Sequence, residues 1–293
     1  MNDIPDTGDE QARLWNGPAG RAWVDTQELL DHLFEPLAAP LVEAVPEGAA
    51  ARVLDVGCGT GAVTLAVARR LGAAGRCTGI DISQPMIAAA RMRAERARLA
   101  AGFVEADAQV HAFETAAFDT IVSRLGVMFF ADPVAAFANL RRAAKAGAVL
   151  RFVAWRGAAE NPFMTTAERA AAPLLPDLPP RRPGAPGQFA FAERNRVAAI
   201  LEDSGWTGIE VQPVEFACAM PESGLLPYLQ RLGPVGIALA QADAPLRARV
   251  VERVRAAFEP YVQGGEVRFT AACWLVEARA RSAPPAARRA VHV

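Results

Sequence analysis

Between residues 50 and 156, short apolar runs alternate with longer stretches whose apolar residues recur at helical spacing. ARVLDV (51–56), RCTGIDI (76–82), GFVEAD (102–107), FDTIVSRLG (118–126) and GAVLRFVAW (147–155) read as strands. Among them, AVTLAVARRL (62–71), the stretch from Pro85 to about Leu99 with Ser83 at its N-cap, and PVAAFANLRRAA (133–144) read as helices. Such alternation builds βαβ units. A parallel sheet covered on both faces gives continuous apolar runs, as these strands show, rather than a strict in–out alternation.

The flanks are less regular. Two helical patterns, around 9–23 and 24–45, precede the first strand. After the fifth, PLLPDLPPRRPGAPG (173–187) excludes regular structure throughout, and a connection of this length points to a cap or a disordered segment. ERNRVAAILEDSGW (193–206) reads as an amphipathic helix closed by Gly205, GIEVQPVEFAC (208–218) as a strand, 221–260 as helical, and EVRFTAACWLVEAR (266–279) as a last long strand. The tail from Arg281, with Pro284, Pro285 and arginine pairs, reads as a frayed end.

With 293 residues, 52% of them hydrophobic, the chain can bury one large α/β core with a smaller cap. A net charge of −1 provides no electrostatic footprint for nucleic acid or an anionic membrane. Cys58, Cys77, Cys218 and Cys273 lie far apart, which fits neither a disulfide framework nor a metal site and suits a reducing cytoplasm. MNDIPDTGDE is too acidic for a signal peptide, and no apolar run approaches the roughly 18 residues of a membrane span.

The stretch VLDVGCGTG (53–61) places Gly57, Gly59 and Gly61 directly behind a strand that carries Asp55. A tight turn alone is expected to need one glycine; three suggest backbone held close to a ligand at a helix N-terminus. Dinucleotide folds use G-x-G-x-x-G to seat a pyrophosphate, and here the spacing is one residue shorter. A carboxylate at 55 would repel a pyrophosphate and favour a ligand with positive charge. Asp81 and Asp107 end the next two strands, so three acids line the carboxyl edge of the expected sheet, where open α/β sheets bind ligands. Ribose hydroxyls suit Asp81, and an exocyclic amine such as that of adenine suits Asp107.

VLDVGCGTG, with GIDIS (79–83), EADAQ (105–109) and FDTIVSRLGVMFF (118–130), resembles the class I S-adenosylmethionine-dependent methyltransferases, most closely the subgroup similar to ubiquinone and menaquinone C-methyltransferases. The likeness is specific over about 50–156. WNGPAGRAW (15–23) and ENPFMT (160–165) resemble a large bacterial subgroup of such enzymes, and past 165 the likeness is one of architecture. The resemblance implies that Asp55 and the Gly57–Gly61 loop hold the methionine end of S-adenosylmethionine. It places Asp81 on the ribose, Ile82 against adenine, and Asp107 with the Ala108 backbone on the adenine edge. Ser123 and Arg124 would lie near the methionine tail and the methyl group, and Met86 would be a further cofactor-side residue. Cys58 would serve as a small residue that fits the loop.

Methyl transfer is an in-line displacement that asks the protein to align the acceptor and exclude water. Where the acceptor is a hydroxyl or an acidic carbon, a general base helps. His111, just past the adenine-side turn, is the candidate, against the plainer reading of a histidine in a surface loop, with Arg124 as a second catalytic candidate and His32 a weaker one. His292 falls in the tail. No Cys/His/carboxylate cluster has metal-ligand spacing, so no metal is expected. Met128 and Phe129 after the fourth strand, and Phe163 and Met164 after the fifth, are expected to line an acceptor pocket for a flat, apolar or aromatic molecule, with packing among themselves as cap core the alternative for part of the set. Trp15 and Trp23, eight residues apart and so roughly on one helix face, are expected either to close over it as part of the lid or to staple that helix to the sheet. Arg231 reads as a solvated helix face, with a substrate-side charge as the sharper alternative.

The expected architecture is an α/β, doubly wound, mostly parallel seven-stranded sheet of the Rossmann-like methyltransferase kind, with strand seven antiparallel as the resemblance implies. Its parts are a helical lid (1–49), an S-adenosylmethionine-binding core (50–156), a Pro-rich cap insertion (157–192), a C-terminal part (193–280) with a helical insertion (221–260), and a tail (281–293). The expected reaction moves a methyl group to O, C or N of a small molecule in the cytoplasm, with no nucleic acid partner and no membrane span, in a monomer or homodimer. One alternative is a nicotinamide-dependent oxidoreductase, opposed by the glycine spacing, Asp55 and Asp107. A second is a non-catalytic S-adenosylmethionine-binding protein, although every cofactor position holds a suitable residue. A nucleic-acid methyltransferase is disfavoured by the charge and by the absence of an N/D-P-P-Y/F motif for a flipped base.

Overall fold

In the computed structural model, which describes residues 7–182 and 184–281, the chain enters through four short helices, α1 (Thr7–Asn16), α2 (Pro18–Asp25), α3 (Gln27–Leu33) and α4 (Glu35–Glu43). The two helical patterns of the sequence are thus each broken once. Gly17 separates the first pair, and Pro18 opens α2 at a position where a missing N–H costs nothing. Phe34 separates the second pair. Leu30, Leu33, Phe34, Leu37 and Leu41 are buried, and α4 packs on the sheet.

The sheet begins with β1 (Arg52–Val56), β2 (Arg76–Asp81), β3 (Ala101–Glu105), β4 (Phe118–Arg124) and β5 (Ala144–Trp155), all parallel, in the order β3-β2-β1-β4-β5. Helices α5 (Ala62–Leu71), α6 (Gln84–Ala97) and α7 (Pro133–Ala143) supply crossovers. After β5 come α8 (Pro162–Ala171) and α9 (Arg194–Asp203), with no helix or strand among the described residues of 172–192. β6 (Trp206–Pro221) follows, then α10 (Leu225–Arg231), α11 (Gly233–Gln241) and α12 (Ala244–Ala257), the two-residue β7 (Val262–Gln263), and β8 (Glu266–Ala280).

β8 inserts between β5 and β6 and runs antiparallel to both. This is the antiparallel last strand that was expected, and β7 adds an eighth, two-residue strand beside it. β6 is the sheet's edge, which is why it tolerates Pro213: a residue without an N–H removes no bond from an outer rim. β6 is also longer than its 208–218 pattern suggests, because pairing with β8 continues to Pro221↔Glu266.

Strand order reverses between β1 and β4. The crevice that opens beyond their carboxyl ends is the place where sheets of this kind bind ligands. No helix among the described residues is long and apolar enough to cross a membrane. His292 and the tail beyond Arg281 lie outside the described residues.

Candidate functional site

The turn after β1 explains its three glycines differently from the expectation above. Gly57, Gly59 and Gly61 all have positive φ (66, 54 and 87°), so the turn by itself demands all three. Their surroundings differ. A Cβ on Gly57 would lie 2.6 Å from Cα of Gly126, so here the turns after β1 and β4 touch backbone to backbone. A Cβ on Gly61 would press on Ala90 and Phe103, both at 3.1 Å, which makes that glycine a packing requirement. Only at Gly59 is the missing side chain open to the crevice, the nearest atom being the Met86 sulfur at 3.6 Å.

The loop is pinned by β2. The amides of Gly57 and Cys58 donate to the Ile80 carbonyl at 2.9 and 3.1 Å, and the Gly59 amide donates to Asp81 Oδ2 at 2.8 Å. Asp81 Oδ1 accepts from the Ser83 amide at 2.9 Å. Burial pushes the Asp81 carboxyl up, and these backbone amides pull the other way. Ser83 does stand at the start of α6, but its hydroxyl donates to the Trp15 carbonyl at 2.7 Å instead of capping the helix. Asp107 Oδ1 accepts from the Gln109 amide at 2.8 Å, which folds its turn.

Asp81 and Asp107 both line a cleft of ≈ 1440 Å³, together with Gly57, Gly59, Ile82, Met86, Ala108 and Arg124. Asp55 does not reach it. The Asp55 carboxylate sits beneath, in a small cavity of ≈ 40 Å³ shared with Asp31, Cys58 and Arg124. Burial raises it to about 7, against the bond from Thr64 and the charge of Arg124. Burial likewise drives the Cys58 thiol well up, which leaves it a filler rather than a nucleophile. Arg124 borders both spaces and donates to the Phe34 carbonyl at 3.3 Å. Burial lowers its pKa, and Asp31 and Asp55 oppose that.

Besides Asp55, Cys58 and Gly61, three more candidates are not brought to the cleft. Ser123 is fully buried; its hydroxyl donates to the Val56 carbonyl at 2.7 Å and accepts from the Gly126 amide at 3.2 Å, so it ties β4 to β1 under the floor. His111 packs edge-on against Phe113 at 4.7 Å, and neither ring lines the cleft. The Asp107 turn closes on the His111 backbone amide, which donates to the Asp107 carbonyl at 2.9 Å. His32 is exposed on α3 and also lies outside the lining. Among the described residues no group of three or more His, Cys, Asp or Glu could hold a metal ion.

The expected acceptor residues do line the cleft: Trp15, Trp23, Met128, Phe129, Phe163 and Met164. Trp15 and Trp23 are not on one helix face; they sit on α1 and α2, which the break at Gly17 folds together. Trp15 meets Trp23 and Phe129 edge-on, at 6.0 and 5.1 Å. Phe163 stacks on Phe269 at 3.8 Å, and the Met128 sulfur accepts from the Trp155 amide at 3.3 Å. Arg231 is exposed at the rim.

Several participants escaped the sequence reading. Asn16 accepts from the Gln84 amide at 2.8 Å and donates to the Ile82 carbonyl at 3.0 Å, so the WNG motif docks α1 onto the β2–α6 turn. Gly20 lets that docking happen, since a Cβ there would crowd the Trp15 carbonyl and reach 2.9 Å from the Ser83 hydroxyl. Phe34, Trp155 and Tyr228 complete the apolar lining. Asn161 donates to the Ala272 carbonyl and accepts from its amide, both at 2.9 Å, which fixes the start of α8 to β8. The repeated asparagines and glycines of WNGPAG and ENPF were the available signal for these contacts.

Residues 53–147 match the model of the methyltransferase domain. An uncharacterized protein of Mycobacterium bovis is 30% identical over 186 residues, 62% of this chain and 63% of that protein. The nocamycin O-methyltransferase of Saccharothrix syringae is 36% identical over 110 residues, 37% of this chain and 39% of that enzyme. The chain spans less than two thirds of the length of either relative. Among solved structures, phosphoethanolamine N-methyltransferase 2 of Haemonchus contortus, in complex with S-adenosyl-L-methionine, aligns with TM-score 0.55 at 17% identity, over 96% of this chain and 61% of that one. The cyclase SpnF aligns with TM-score 0.53 at 20% identity, over 90% and 95%. At such identities what is shared is the fold, a Rossmann-like methyltransferase fold, and the cyclase is a reminder that this fold hosts more than one chemistry.

Proposed function

We propose that the chain is an S-adenosylmethionine-dependent methyltransferase of the type resembling the ubiquinone and menaquinone C-methyltransferases, acting on O, C or N of a small apolar or aromatic metabolite. One observation carries this reading. Asp81 and the Gly59 amide are locked together at the crevice where strand order reverses, Asp107 stands one strand away, and all three open on a cleft that continues under an apolar cap. Two relatives, named for nocamycin and for aklanonic acid, favour a small-molecule acceptor.

The donor set suits the cofactor. Each Asp81 oxygen holds one backbone amide and keeps a lone pair for a ribose hydroxyl. Ile82 and Met86 would flank adenine, and Asp107 with the Ala108 backbone would meet its edge. Gly57, Arg124 and, from below, Asp55 would serve the amino-acid end. When bound, S-adenosylmethionine supplies an electrophilic methyl group on a sulfonium. The protein's share is then alignment and dryness, from an apolar lining that includes Trp15, Trp23, Met128, Phe129, Phe163 and Met164. With His32 and His111 both away from the cleft, the reading favours an acceptor that is already nucleophilic or ionises by itself.

The test is calorimetric titration with S-adenosylmethionine, S-adenosylhomocysteine, NADH and NADPH. Binding of the first two and of neither nicotinamide supports the proposal and justifies an acceptor screen with methyl-labelled donor. Binding of a nicotinamide, or of none of the four, would overturn it.

A further inference from the structure

Tyr228 stands on α10, in the wall that the cap contributes to the cleft. Its ring lies against Phe163, with centroids 5.9 Å apart, and its hydroxyl is paired with the Met164 sulfur at 3.8 Å, a weak acceptor. Other side chains of that wall, Phe163, Leu232, Val235 and Phe258, are apolar. Of the nearby charges, Arg181 grips Glu168 through two bonds of 2.9 and 2.6 Å and covers the Phe189 ring at 4.7 Å, while Arg231, at the end of α10, is exposed at the rim.

The sequence has two tyrosines, and the second supplies the contrast. Tyr261 packs on the same Phe163, at 5.1 Å, but its hydroxyl is 3.4 Å from the Thr166 hydroxyl, and it does not line the cleft. One phenol is satisfied within the protein; the other borders the cleft with only sulfur for company. Burial, reinforced by the Glu168 carboxylate, pushes the Tyr228 phenol up. It therefore stays an O–H donor and is no base. A phenol in an apolar wall is costlier than phenylalanine unless a ligand brings an acceptor to it.

We infer that the methyl acceptor carries, besides its reacting atom, a carbonyl or hydroxyl oxygen that accepts a hydrogen bond from Tyr228. The cleft thus selects oxygen-bearing ring systems over hydrocarbons of the same shape. The inference rests on reading this cleft as a methyl-acceptor site.

The probes are two ketone–hydrocarbon pairs, 1-tetralone with tetralin and 9-fluorenone with fluorene. Their binding is followed by fluorescence of Trp15, Trp23 and Trp155, which border the cleft, with and without S-adenosylhomocysteine. The wild type is expected to hold each ketone about tenfold more tightly than its hydrocarbon. Tyr228→Phe is expected to bind the members of each pair alike, with hydrocarbon affinity as in the wild type. A wild type that shows no preference, including one that binds none of the probes, overturns the inference, as does a preference that survives in Tyr228→Phe. S-adenosylhomocysteine affinity, measured separately by calorimetry, is expected to be equal in the two proteins. Its absence from both would sink the methyltransferase reading while leaving the ketone preference to be judged by itself.

Discussion

Thr64 donates its hydroxyl to Asp55 across 2.6 Å, inside the core and beneath the glycine loop. That bond only partly offsets the burial of the carboxylate, which titrates at about 7 instead of the ordinary 3.8. The folded protein therefore keeps a proton that the unfolded chain releases. Stability from this group is full below 3.8, declines as pH rises toward about 7, and is flat above. Asp55→Asn still offers Thr64 an oxygen and cannot titrate. The difference in melting temperature between variant and wild type is expected to grow between about pH 4 and about pH 7 in favour of the variant. Melting curves that shift in parallel with pH would refute the assignment.

Asp81 and Asp107 differ in what they hold within the protein. Asp81 orders the Gly59 and Ser83 amides, whereas Asp107 orders only its own turn through Gln109. Alanine at either position is expected to weaken S-adenosylmethionine binding by roughly 1–3 kcal/mol, with the larger loss at 81. Only Asp81→Ala should also lower the melting temperature, since it releases the loop. Unchanged affinity in both, with the fold intact, would remove them from the site.

The glycines of the loop separate stability from binding. Alanine at 57 or 59 pays the left-handed strain of about 1–2 kcal/mol. At 57 it also drives a Cβ to 2.6 Å from Gly126 backbone, which cannot swing aside. Urea melts should show Gly57→Ala far less stable than Gly59→Ala. The latter folds with about the strain alone but places a methyl group in the crevice, and its S-adenosylhomocysteine affinity should drop. Equal stabilities would mean that the contact between the two turns relaxes.

The core was legible because its signals are local. Asp55, Asp81 and Asp107 lie at or just past the carboxyl ends of strands whose apolar runs declare themselves, and the glycines mark the turn, although only at Gly59 is the missing side chain open to the crevice. What could not be read depends on partners far apart in sequence. Ser123 looks like a site residue from its place at the end of β4, but Val56 and Gly126 claim its hydroxyl. His111 has the right chemistry two residues beyond the Asp107 turn, but its ring packs on Phe113 and does not line the cleft. Trp15 and Trp23 were rightly paired for the wrong reason: the helix that was to align them breaks at Gly17, and the fold-back brings them together.

His111→Ala follows directly from that placement. Once an acceptor is found, its rate and pH profile should match the wild type, because the imidazole borders Phe113 and not the cleft. A fall of more than about tenfold in kcat would mean that the turn rearranges to bring His111 in.

One guanidinium joins three elements beside the small cavity that holds Asp55. Arg93, on α6, donates to the Thr60 carbonyl at 2.6 Å in the glycine loop and to the Asp31 carboxylate on α3, which also accepts from Gln27 at 2.6 Å. Both charged side chains are about a quarter exposed, so the pair is screened but not fully solvated. Arg93→Met keeps the aliphatic stem and removes the bonds to Thr60 and Asp31, leaving Gln27 on Asp31. It is expected to lower stability by about 1–2 kcal/mol and S-adenosylhomocysteine affinity about tenfold, because Thr60 and α3 border the same small cavity as Asp55. Added salt should narrow the gap between variant and wild type, since it screens the wild-type ion pair and has nothing to screen in the variant. A stability loss without any change in affinity would show that Arg93 fastens α3 to the core and leaves the loop indifferent to it.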